Sequence, residues 1–155
     1  MQSNEIGQLQ PEKIHILNVN ILKCSIDSPF EFSIKNIHTH DFSYKFEIAF
    51  NLEDLLIKTD FILNITTKSK IAVEEEAVGS FHFVFIFKID NLKELAILNK
   101  NNTIDLGGGL DNAIASLTYS TSRGILLSRL KGTALENFML PVIDPNQLIN
   151  NSSLS

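Results

Sequence analysis

The stretch "GSFHFVFIFKID", Gly79–Asp90, decides the fold. Phe81, Phe83, Phe85 and Phe87 recur at every second position, with His82, Val84, Ile86 and Lys88 between them. A strand sends alternate side chains to opposite faces, so this spacing predicts a strand with one face of solid phenylalanine and a second face that is half apolar. A strand of that kind needs cover on at least one side.

The segments before it supply strands. "IHILNVNILKCSI" alternates from Ile14, with a slip near Leu17 that marks a bulge. "DSP" at Asp27–Pro29 breaks the pattern, and "FEFSI" follows with Phe30, Phe32 and Ile34 on one face. In "DFSYKFEIAF", Phe42, Tyr44, Phe46, Ile48 and Phe50 point one way and Ser43, Lys45, Glu47 and Ala49 the other. "FILNITTKSKIAVEEEAVGSFHFVFIFKI" gives two further strands, with Gly79 allowing a bend.

The period changes after Asp90. "DNLKELAIL" reads as helical with Asp90 as its N-cap. From Leu110 to about Leu130 a 3.6-residue period runs through Ala113, Ile114, Leu117, Thr121, Ile125 and Leu130. Small residues, among them Ala113, Ala115, Ser116 and Ser120, are dense on this helix and permit another backbone to approach. A short terminal helix is expected to begin at Pro145, with Asp144 as its N-cap. Strands first and helices last predict an α+β fold, an antiparallel sheet with helices on one side.

The chain has 155 residues, the size of one domain, spanning 1–155, with residues 1–13 and 150–155 expected to form disordered tails. The net charge of -5 and the lack of a basic stripe argue against nucleic acid. Cys24 is the single cysteine, so no disulfide framework or Cys-rich zinc site is available. No window is long and apolar enough for membrane insertion, and no signal peptide is visible, so a soluble cytoplasmic protein is expected.

Few residues offer chemistry. "HTHD", His38–Asp41, places two imidazoles beside a carboxylate, a spacing that can bind a metal but more often marks a polar loop. "GGGLD", Gly107–Asp111, precedes a helix and could offer amides to an anion, yet lacks the lysine of a phosphate-binding loop. "SRLK", Ser128–Lys131, matches an acylating-enzyme pattern without its companion motifs. "EEE", Glu74–Glu76, is either a solvated face or an acidic docking patch. No nucleophile, base and orienting group assemble, and no cofactor is implied, so an enzyme is not expected.

"ASLTYSTSRGILLSRLKGT" followed by "LPVIDPNQL" resembles the SecB family of bacterial protein-export chaperones. Ser122, Arg123 and Gly124 match that family's Ser-Arg-Gly element, Gly79-Ser80-Phe81 its Gly-x-Phe element, and Pro141 to Leu148 its closing segment. The resemblance runs from Ile14 to Ile149. It implies a four-stranded antiparallel sheet with a long helix and a short C-terminal helix on one face, assembled as a homotetramer. It further implies an ATP-independent chaperone that holds unfolded polypeptide, for protein export, on apolar grooves.

In that family a crossover segment after the first strand helps wall the groove. Phe30 and Phe32, with Phe42 and Phe46, are therefore expected to bind clients. Glu74 falls where the family carries a glutamate for docking the SecA translocase. Ala113, Ser116 and Ser120 are expected at an oligomer interface. Two alternatives stand beside this reading. One is an adaptor or toxin–antitoxin-associated chaperone with a single dedicated partner, and the other is a small-molecule binder with a Phe-lined cavity.

Overall fold

Four long strands build the molecule. A computed structural model describes residues 7–101 and 103–150, and the backbone of Ser153–Leu154. Strands β1 (Ile14–Asp27), β2 (Ile37–Asn51), β3 (Leu56–Ser69) and β4 (Val78–Ile89) form an antiparallel sheet in the order β1-β4-β3-β2. They are followed by a single turn α1 (Leu92–Leu95) and a small hairpin of β5 (Ala96–Leu98) and β6 (Ile104–Leu106). The long helix α2 (Leu110–Arg129) and the short helix α3 (Pro145–Asn150) come next. A two-residue strand β7 (Ser153–Leu154) runs parallel to β2 at Glu47 and Ile48. The sequence places the last six residues in a tail and the first thirteen in another. Of these, Pro11–Lys13 form a 3-10 turn, and residues 1–6 lie outside the described residues.

The phenylalanine face of β4 is core along its whole length. Phe81, Phe83, Phe85 and Phe87 are each 0–1% exposed. Opposite them on β3 stand Leu63, Phe61, Thr59 and Ile57, also buried, so two adjacent strands present one apolar surface. Burial of four Phe side chains is worth roughly 6–12 kcal/mol as an upper estimate, comparable with the whole net stability of a domain. The other face of β4 is wetter. His82 Nε2 meets Asp60 Oδ1 at 2.7 Å, Lys58 reaches Asp60 at 3.4 Å, and Ser80 donates to Asn64.

β1 pairs only with β4, and its other side is the sheet's border. Its register shifts at Leu17, as the alternation predicts, and again at Leu22. Ile16, Leu17, Ile21 and Leu22 are all substantially exposed.

Three local expectations are corrected. "FEFSI" is not extended: Phe32 N–H donates to Pro29 O, and Ile34–Asn36 form a 3-10 turn, because Pro29 begins a tight turn immediately after β1. "DNLKELAIL" is helical for only Leu92–Leu95, and then Ala96–Leu98 pair with β6. Asp90 does not cap this turn. Its carboxylate bonds His15 at 2.9 Å, and Asn91 holds the N-cap position without a side-chain hydrogen bond.

The buried stripe of α2 is also rotated from the expected one, running through Leu110, Ile114, Ala115, Thr118, Tyr119, Ser122 and Leu126. Small and polar residues face the sheet here because the Thr118 and Thr59 hydroxyls bond at 2.8 Å in the interior. The expected start of α3 is as predicted: Asp144 Oδ1 accepts from Asn146 N–H at 2.9 Å.

Between the helices, residues 130–144 form a strap that crosses the sheet. Leu135 packs so closely on β4 that a Cβ added to Gly79 would lie 2.5 Å from its Cδ1. Phe138 sets its ring against His40 and Phe42 of β2, with centroids 5.5 Å apart in both cases. Tyr119 Oη donates to Pro141 O at 2.5 Å, which ties the strap back to α2. Burial pushes the Tyr119 phenol up to about 12, so it stays a donor at any physiological pH.

Gly79→Ala is expected to lower stability by about 1–3 kcal/mol, since Leu135 and the Phe81 ring must both move. Gly124→Ala is expected to raise the stability of the isolated chain by roughly 0.5–1 kcal/mol, because a methyl there meets nothing within 4 Å and helix propensity improves. Urea unfolding of the two variants distinguishes the signs.

Candidate functional site

At the end of the sheet where β1 leaves and β2 begins, two connecting segments face each other. One is the turn after β1, carrying Pro29, Glu31 and Phe32, and the other is the β3–β4 loop, carrying Val73, Glu74 and Glu75. They enclose an open groove of about 360 Å3. Lys70 N–H donates to Asn36 O at 2.6 Å, which holds the two segments together at the base.

The acidic run divides by role. Glu76 turns inward and accepts from the Thr67 hydroxyl at 2.6 Å, the Ser69 N–H at 2.9 Å and the Ser69 hydroxyl at 3.0 Å. The Thr67 bond is the main reason its carboxyl sits below the usual 4.5; partial desolvation opposes it and the Ser69 bonds add to it. Glu76 therefore anchors the loop. Glu74 and Glu75 are exposed at the groove.

The residues expected to bind clients separate. Phe30 is 102% exposed, as accessible as in an extended chain, and stands beside the groove on the same turn as Phe32. Phe32 is partly buried, lining the groove and touching the core behind it. Phe42 lies farther along β2, 38% exposed and edge-on to Phe138. Phe46 is 1% exposed within the core cluster, because β2 has by then passed into the covered part of the sheet. It is thus removed from any surface group.

The structure brings Phe32 and Glu74 into one groove, although they lie 42 residues apart in sequence (74 − 32). Ile71 and Val73, both exposed, were not singled out from the sequence, where "KIAVEEE" reads as strand. Three consecutive apolar residues, Ile71, Ala72 and Val73, between a lysine and a glutamate run are the signal that marks them.

On α2, Ser120 is exposed and Ala113 and Ser116 are half-buried on the outward side. Ala115 and Ser122 face the sheet, fully buried. The small residues thus serve two faces, close approach to the sheet inside and a smooth stripe outside.

The other motifs are used structurally. His40 points in beneath Phe138 with its Nε2 buried and without a hydrogen-bond partner, and burial holds its pKa below 6.5. His38 is exposed, and among the described residues no group of three His, Cys, Asp or Glu side chains could hold a metal. The Gly107 amide is taken by Leu95 O at 2.7 Å. Ser128 and Lys131 are exposed at the end of α2. No helix among the described residues is long and apolar enough to cross a membrane.

No protein-family model and no curated protein matches the chain. Among solved structures, the Mycobacterium tuberculosis SecB-like chaperone Rv1957, in complex with a ChAD peptide from the Rv1956 HigA1 antitoxin, is similar at a TM-score of 0.59. The match covers 85% of this chain and 91% of that one at 12% identity. A protein of unknown function from Streptococcus agalactiae matches over 83% and 97% at 12% identity, with a TM-score of 0.31 that carries no argument. The fold of this chain is SecB-like: the antiparallel sheet, the long helix and the short C-terminal helix correspond.

Glu76→Gln is expected to lower the urea midpoint at pH 7, whereas Glu74→Gln leaves it in place. A carboxyl with a depressed folded pKa contributes stability above its unfolded value, near 4.5, and loses it as the pH falls through the folded value. The gap between wild type and Glu76→Gln should therefore close in unfolding curves recorded from pH 7 down to pH 3.

Proposed function

We propose that this chain is a SecB-like, ATP-independent chaperone that holds unfolded polypeptide at the groove walled by Phe32, Val73 and the turn bearing Phe30. The observation that carries this is Phe30, a large aromatic left wholly in water beside a concave site. Exposed apolar residues gathered at such a site serve association, since they add nothing to the core. Sequence-tolerant apolar contact suits a protein that must accept many segments. Phe42, partly exposed on β2 outside the groove lining, is proposed as a second apolar contact for the client. The reading is non-enzymatic and cytoplasmic.

Glu74 stands free to dock a translocase of the SecA type, which is the export reading. The similar Rv1957 was solved with an antitoxin peptide, and that favours the second reading, in which this chain serves one dedicated partner. A panel of unrelated unfolded proteins separates the two: suppression of aggregation across the panel supports the general chaperone, and binding of a single partner supports the other.

The double variant Phe30→Ala, Phe32→Ala should keep its fold and lose most of its ability to suppress client aggregation. Phe46→Ala should cost roughly 3–5 kcal/mol of stability instead, as a core truncation. A large drop in melting temperature of the double variant would return these residues to the core, and undiminished holding activity would remove them from the site.

Assembly is proposed as a homotetramer in which the outward stripe of α2, Ala113, Ser116 and Ser120, meets another subunit. Ser120→Arg should reduce the mass measured by native mass spectrometry without altering the circular dichroism of the sheet. An unchanged mass would place the interface elsewhere.

A further inference from the structure

The long helix carries a cation without a counter-ion among the described residues. Arg123 is half-buried on α2, and none of the ion pairs takes it. Its Nε is buried without a hydrogen-bond partner, and its Nη2 meets the Met139 sulfur at 3.5 Å, a weak acceptor. A guanidinium so placed has given up water without gaining a carboxylate, and a charged donor left unpaired in the interior is costly.

Arg123 also lines a cavity of about 90 Å3 between α2 and the end of the strap. Ser116, Ser120 and Arg123 form one wall, and their spacing of four and then three residues aligns them along one side of the helix. Neither serine hydroxyl is taken by another group among the described residues. The facing wall is apolar, made by Val142, Ile143 and Leu148, and no Asp or Glu lines the space. Asp144, next in the chain, turns its Oδ1 to the Asn146 N–H. Tyr119 stands beside Arg123, but burial pushes its phenol up to about 12, so it supplies no negative charge. The cavity is far smaller than the roughly 300 Å3 at which pockets hold whole ligands, so it suits one functional group. Donors and a positive charge on one wall, with hydrocarbon on the other, select a carboxylate that has an alkyl group next to it.

We propose that this cavity binds an aliphatic carboxylate, with the Arg123 guanidinium taking its oxygens, the Ser116 and Ser120 hydroxyls donating beside it, and the alkyl group resting on Val142 and Ile143. Two sources carry this chemistry. One is the end of a polypeptide that finishes in Val or Leu, where the carboxylate and the last side chain hang from one Cα. The other is a free branched acid. The cavity shares no residue with the groove of Phe32 and Val73, so it stands or falls apart from the client site.

The test uses the full chain in its own assembly and reads binding by line broadening of the ligand in NMR. The probes are the N-acetylated peptide Gly-Ser-Gly-Ser-Val-Leu with a free carboxylate, its C-terminal amide, isovalerate and isovaleramide. An acid should bind at least about tenfold more tightly than its own amide, the factor that a hydrogen bond to a charged group contributes. Binding of the peptide acid with isovalerate silent assigns the site to chain ends, and binding of isovalerate alone assigns it to free acids. In Arg123→Gln the acid-to-amide ratio should fall to about one, a readout that a packing role of Arg123 does not move. The double variant Ser116→Ala, Ser120→Ala, which keeps the guanidinium, should weaken the acid by about threefold or more and leave the amide unchanged. The proposal is overturned by an acid that binds no better than its amide, by an unchanged ratio in both variants, or by the silence of both acids, as when another subunit closes the cavity.

Discussion

Everything on the helix side of the sheet is placed by the need to cover Phe81, Phe83, Phe85 and Phe87. No single element is large enough to do so. α2 covers the middle of the sheet, α1 brings Leu92 and Leu95, and the strap presses Leu135 onto Gly79. The missing side chain at Gly79 is part of that cover, since it lets Leu135 sit against the strand itself. The cost of leaving such a face wet explains why a chain of this length spends fifteen residues, 130–144, on a strap with little regular structure.

The close fit of α2 depends on a second constraint, the hydroxyl pair Thr59–Thr118. Two hydroxyls satisfied by one another are tolerated in the interior, where either alone would carry a desolvation penalty. Their bond requires the helix backbone to lie near β3, and Ala115 and Ser122 make that approach possible. Ser122 leaves its own hydroxyl without a partner, a local loss accepted for proximity. The outward side of the same helix is left with Ser120 and the half-buried Ala113 and Ser116.

Much of the fold was legible because its strands obey strict alternation over long runs. The alternation of β2 and β4 puts their aromatic residues on a single face, and the bulge at Leu17 showed as a break in the alternation of β1. The stripe of α2 was misplaced because hydrophobicity was taken as the guide to burial, whereas Thr118 and Ser122 are buried by hydrogen bonding and size. Phe46 misled for a related reason: alternation assigns a face but says nothing about how far along the strand the cover extends. The groove was legible only in pieces. Phe32 and Glu74 were each singled out, but their meeting depends on how the turn after β1 and the β3–β4 loop are held together, through Asn36 and Lys70 backbone groups that leave no mark in side-chain patterns.

The order of strands also sets a schedule. β1 is made first and pairs with the last of the long strands, so that His15 meets Asp90 across 75 residues of chain. At roughly 5–20 residues per second of synthesis, β1 waits about 4–15 s after it is made before its partner exists. During that interval Ile14, Ile16, Leu17, Val19, Ile21 and Leu22 form an unpaired apolar segment on the ribosome. β2 and β3, joined by a short turn, close on one another in the meantime. The nascent chain thus passes through a state in which a greasy, extended stretch has no partner until β4 is made.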